Sequence, residues 1–176
     1  MSYPVFATGD VLNASDMNAV SGWLVKTQTV GTGVSSVTVT SAFSADYDNY
    51  LIVIQGIVNS TAANLTLQLS GITTNTYSTG GTFFTYGSTT VSGFGPAATS
   101  SWVIGPAGTV NSHAVISVMA PNAATSKSVF AQGSSTLAYY SFAGTCTSTS
   151  TATGFVIAPN AGTMTGGTIR VYGYRN

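Results

Sequence analysis

The sequence predicts an all-β protein, a jelly-roll-like antiparallel β-sandwich with a short N-terminal arm that carries one helix. Three observations predict it. Apolar and polar residues alternate in a series of short runs, glycine, proline and asparagine separate those runs, and a single stretch near the start has helical character. Serine and threonine are abundant, at 23 and 28 residues, but 44% of the 176 residues are hydrophobic and 11% aromatic. That balance favours a packed core over disorder. A chain of this length fits one domain with an appendage and buries roughly 70% of its unfolded surface. Residues 1–24 are read as the arm and residues 25–176 as the sandwich domain.

The helix comes first. Asn13 is its N-cap, and Asp16 three residues later reaches back in a variant of the capping box. Leu12 before the cap and Met17 in the first turn form a hydrophobic staple, and Gly22 supplies the stop. A helix of about two turns does not hold by itself in water. Its apolar residues Leu12, Met17, Val20 and Trp23 therefore need a surface, either their own domain or a neighbouring protein. Docking to a partner is the preferred reading.

From Trp23 onward the pattern is β. Val37 and Val39 alternate within residues 34–40, and Leu65, Leu67 and Leu69 share one face of residues 64–69. Phe155 with Ile157 and Ile169 with Val171 repeat the pattern near the C-terminus. Residues 50–58 and 114–120 are apolar on both parities, which predicts central strands covered on both sides. Further strands are predicted at 82–86, 101–104, 127–132 and 138–147. Turn signals such as Gly80-Gly81, Gly95-Pro96, Pro121-Asn122 and Gly166-Gly167 lie between them. About ten short strands without a second helix make a sandwich or jelly roll. The serine- and threonine-rich tract 145–153 is read as a loop.

Charge is the scarcest commodity in this chain. Only 5% of residues are charged: Lys26, Lys127, Arg170, Arg175, Asp10, Asp16, Asp46 and Asp48, with no glutamate. An ordinary soluble domain carries about 25%. Net charge is zero, so electrostatic repulsion does little to hold copies apart. Such a surface suits a permanent assembly. The four scattered cations form no basic patch, which argues against nucleic acid as a partner. The longest apolar run, Tyr50 to Ile54, is far short of the ~20 residues that span a bilayer, so no membrane insertion is expected. The start lacks the pattern of a signal peptide, and the lone Cys146 forms no intrachain disulfide. Assembly into a particle in a host cytoplasm fits these features.

Little in the sequence points to catalysis. His113 is the only histidine; in a strand it shares a face with Val115, Ser117 and Met119, and a hydrogen bond to a loop is its ordinary role. A Ser-His-Asp arrangement needs an acid beside it, yet all four aspartates precede residue 49, and no G-x-S-x-G elbow occurs. Asp46 and Asp48 are the only close carboxylates and are read as a solvated turn rather than a glycosidase pair or calcium site. With no Cys/His cluster there is no zinc site. No enzyme activity, cofactor or metal is expected, and Cys146 is placed inside as a small hydrophobe.

Two segments and a connecting stretch resemble a known family. The opening run Phe6-Ala7-Thr8-Gly9-Asp10-Val11-Leu12-Asn13-Ala14-Ser15-Asp16-Met17-Asn18 resembles an N-terminal attachment segment of tailed-bacteriophage virion proteins. The closing run Gly166-Gly167-Thr168-Ile169-Arg170-Val171-Tyr172-Gly173 is similar to the last strand of phage jelly-roll fibre and decoration domains, and Asp46-Tyr47-Asp48-Asn49-Tyr50 fits the same pattern. The resemblance implies a virion structural protein, usually a homotrimer, attached to other virion proteins through its N-terminus. Without a collagen-like or coiled-coil shaft, a compact knob or adaptor on tail or capsid fits better than a long fibre. The alternative is a host-surface carbohydrate-binding module. Tyr77, Tyr86 and Tyr139 are its candidate contacts, since saccharide C–H groups pack on aromatic faces. That alternative predicts exposed aromatics on loops far from the N-terminus, where pure decoration predicts none.

Overall fold

The computed structural model describes residues 22–174. Among them the regular elements are all strands: β1 (Trp23–Thr29), β2 (Val37–Val39), β3 (Asn49–Asn59), β4 (Ala63–Leu69), β5 (Tyr77–Thr85), β6 (Ser92–Phe94), β7 (Trp102–Ala107), β8 (Ser112–Met119), β9 (Lys127–Ser134), β10 (Ala138–Cys146), β11 (Phe155–Pro159), β12 (Met164–Thr165) and β13 (Thr168–Tyr174). The large sheet has the order β1-β13-β3-β8-β9-β10-β5-β6, with the short β12 also on β3. The small sheet has the order β2-β11-β4-β7. Eight of these strands make a jelly roll: β1-β13-β3-β8 faces β2-β11-β4-β7. Strands β5 and β6, inserted between β4 and β7, and β9 and β10, inserted between β8 and β11, widen the large sheet beyond β8. The predicted fold class is the one observed.

The alternating runs explain the sandwich. Leu65, Leu67 and Leu69 of β4, Val37 and Val39 of β2, and Phe155 and Ile157 of β11 all point inward from the small sheet. They meet Tyr50, Ile52 and Ile54 of β3, Ile116 and Val118 of β8, and Ile169 and Val171 of β13. Trp102 fills the space between β7 and β10, its indole N–H donating to the Thr145 carbonyl at 3.0 Å. Gly144 of β10 makes room for it, since a Cβ there would lie 2.8 Å from the indole. Gly133 of β9 plays the same part where the sheets approach most closely: its Cβ would stand 2.9 Å from the Cα of Gly105.

Lys127 is fully buried at the start of β9. Its ammonium donates to the carbonyls of Ala123, Thr125 and Ser148, so one charge ties the β8–β9 turn to the loop after β10. Burial pulls its pKa below the ordinary lysine value. The serine- and threonine-rich tract is thus a pinned loop: Ala152 is buried, its amide donates to Pro121, and the Thr153 carbonyl accepts from Ala42 and Phe43. Cys146 is buried as expected.

One expectation needs correction. Residues 50–58 and 114–120 are indeed central, as β3 and β8, but the described residues cover only their inward side; Val115 stays 49% exposed among them. The β pattern does begin at Trp23, which opens β1 after Gly22 with φ +90°, and the helix read before it lies outside the described residues. β6 and β12, at three and two residues, are too short to carry a period of two and were not predicted.

Candidate functional site

Register turns the outward face of the large sheet into rows. Directly paired residues of antiparallel strands point to the same face. One row reads Leu24, Tyr172, Leu51, Ser117, Phe130, Ala143 from β1 across to β10. Tyr174 and Met119 flank it on one side, and Val53 and Val115 on the other. Leu24 is 50% exposed and Phe130 52%, so this is an apolar band facing solvent. The outward face of the small sheet is mixed: Thr38, Thr66 and Gln68 stand there beside Val156, Ala158 and Val103.

Two strand positions further along, the same face turns polar. The row two positions beyond Val53 and Val115 reads Thr168, Gln55, His113, Ser134, Tyr139, Phe84. Between this row and the band, Gln132 pairs with Val115, and Arg170 with Val53. Gln55, His113, Gln132, Ser134 and Tyr139, with Val53 and Val115 as floor, line an open depression of about 400 Å³. Arg170 donates to the Gln55 side-chain oxygen at 3.2 Å and so orients that amide. Among the described residues no partner occupies the side chains of His113, Gln132 or Ser134. His113 does share a face with Val115, Ser117 and Met119 as predicted, but that face is the outer one, and its expected hydrogen bond to a loop is not formed within the described residues.

The candidate contacts divide. Leu12, Met17 and Val20 lie outside the described residues. Trp23 is 49% exposed and leads directly into the apolar band, since Leu24 is the band's first member. Tyr77 is corrected: it is wholly buried, and its hydroxyl accepts from the Leu69 amide at 3.0 Å and donates to the Ile72 carbonyl at 2.9 Å. Its ring instead packs edge-on against Trp102, centroids 5.0 Å apart. Tyr86 and Tyr139 come together around Phe84, with ring centroids 6.0 and 5.5 Å from it. Tyr86 stands 49% exposed. It lies past the polar row, at the opposite end of the large sheet from Trp23, so exposed aromatics do occur far from the N-terminal junction.

Asp46 and Asp48 sit in the connection before β3. The Ser44 hydroxyl donates to Asp46 at 3.1 Å, and the Asp48 amide donates to the Tyr174 carbonyl at 3.2 Å. From Asp48 to Gln55, the partner of His113, the chain runs seven residues of mostly extended strand, about 23 Å. No described carboxylate therefore stands beside the histidine. Gln55, Gln132 and Ser134 are the candidate residues that sequence reasoning missed. They are outward polar positions of β3 and β9, a signal visible only once strand parity is assigned to a face.

The chain matches no protein-family model, no curated protein and no solved structure. The geometry of its outward face therefore carries the functional argument.

Proposed function

We propose that this protein is a non-enzymatic structural component of a tailed-phage virion, a β-sandwich knob or adaptor held to the particle by residues 1–24. Copies associate as a homotrimer through the apolar band. The observation that carries the reading is the band itself, which no described residue covers. Contiguous exposed apolar patches beyond a few hundred Å² mark interaction surfaces. Six strands at about 4.8 Å and two to three outward residues along each give on the order of 500 Å². A standard interface buries about 800 Å² per partner, and the arm adds to the band because Trp23 and Leu24 join the two. With four cations and four anions in the whole chain, few charges border the contact, and Arg170 at its edge is engaged with Gln55.

Light scattering tests the assembly. The expected mass is three chains, and Phe130→Asp or Val115→Lys yields monomers with an unchanged thermal midpoint, because neither side chain serves its own core. A wild-type monomer at micromolar concentration overturns the trimer. The position and copy number of the protein in an electron-microscopy map of the particle test the virion assignment. Absence from the particle overturns that assignment.

A further inference from the structure

We propose that the depression at the end of the large sheet remote from Trp23 is a binding site for a neutral oligosaccharide. A pyranose ring presents hydroxyls around its edge and an apolar C–H face. It is best held by amides and hydroxyls at fixed spacing beside an aromatic ring. The depression offers that combination. Gln55, His113, Ser134 and Tyr139 stand in one row on four adjacent strands, about 4.8 Å apart in succession. Gln132 adds a second amide from the neighbouring row, and Val53 and Val115 form an apolar floor.

Three features select the ligand class. The site is an open depression rather than an enclosed cavity, so it admits a chain of rings lying across the strands. Its donors and acceptors are amide, imidazole and hydroxyl groups, and the nearby Arg170 is already engaged with Gln55. Among the described residues no cluster of cations stands there to hold a sulfated, phosphorylated or sialylated sugar. The row continues into Phe84, which Tyr139 and Tyr86 flank, so a longer chain finds an aromatic surface at one end. The Gln132 and His113 side chains meet no described partner, so ligand contacts displace only water. The amide of Gln55 is held in place beforehand, which lowers the ordering cost of binding.

The proposal goes beyond the structural reading and does not require it, because binding is measured on protein of any mass. The probe is a glycan array of neutral and sialylated oligosaccharides, followed by calorimetry with the best neutral hit. The expected result is binding of neutral chains that Gln132→Ala combined with Tyr139→Ala weakens about tenfold or more, the loss of one or two productive contacts. His113→Ala and Gln132→Ala, both exposed, keep the thermal midpoint and separate a lost contact from misfolding. Phe130→Asp in the band leaves the affinity unchanged even where it abolishes the trimer. No neutral glycan bound at millimolar concentration overturns the proposal. So does binding confined to anionic glycans, or binding indifferent to the Gln132 and Tyr139 substitutions.

Discussion

Tyr77 illustrates how one hydroxyl on a buried ring organises its surroundings. It bridges the Leu69 amide and the Ile72 carbonyl across the turn that follows β4. Tyr77→Phe keeps the ring against Trp102 but leaves both backbone groups unpaired in an apolar interior. The expected loss is about 1–3 kcal/mol, read from the urea midpoint; an unchanged midpoint contradicts the role. Lys127 makes a comparable case with a charge. Three carbonyls surround its ammonium, so Lys127→Met should loosen the loop it holds rather than the whole domain. Hydrogen exchange at the Ala152 amide, which donates to Pro121, should accelerate about tenfold. Equal rates in both proteins exclude the anchoring role. Neither part was visible in the sequence, where Tyr77 reads as a candidate sugar contact and Lys127 as one of four scattered cations. Burial depends on which strands later stack over them.

At the scale of the element, strand parity decides what each position is worth. In β4 the inward Leu67 is wholly buried, so Leu67→Ala is expected to cost about 2–5 kcal/mol through lost transfer energy and the cavity left behind. In β2 of the same sheet the outward Thr38 is exposed, and Thr38→Ala should stay within about 0.5 kcal/mol. Denaturant melts of the two variants test this directly; equal losses would mean the strands face the other way. The period-two runs were legible because leucine and threonine differ so strongly in transfer energy. β3 and β8 were legible as strands but not as half-covered ones. Leu51, Val53 and Val115 make them apolar on both sides, and no local pattern says whether the second cover is part of the same chain.

For the molecule as a whole, alkaline pH exposes the cost of burial. Desolvation raises the pKa of Tyr77 and of Tyr140, whose hydroxyl donates to the Asn64 side chain at 3.0 Å. The folded state therefore holds these phenolic protons more tightly than the unfolded chain, which releases them near pH 10. Their stabilisation is complete below that value and is lost as pH rises toward the folded values. Lys127 acts oppositely: its lowered pKa lets stability rise with pH until the unfolded lysine titrates near 10.4. Beyond about pH 10.5 the tyrosines dominate and stability should fall. Denaturant midpoints across pH 9–12 measure the slope, and Tyr77→Phe should flatten it; a steeper fall in the variant is the opposing result.

Composition and alternation by themselves determined the all-β class, the strands of the inner core and a surface nearly free of charge. Those properties follow from residue type and spacing along the chain, and they survive any arrangement of the strands. Only the tertiary structure decided which side of each strand the small sheet covers. That choice buried Tyr77, left Phe130 and Val115 in solvent, and brought Gln55, His113, Ser134 and Tyr139 into one row from four strands spread over 84 positions of sequence. Such a row comes from pairing register, which couples residues distant in sequence through backbone hydrogen bonds and leaves no local trace.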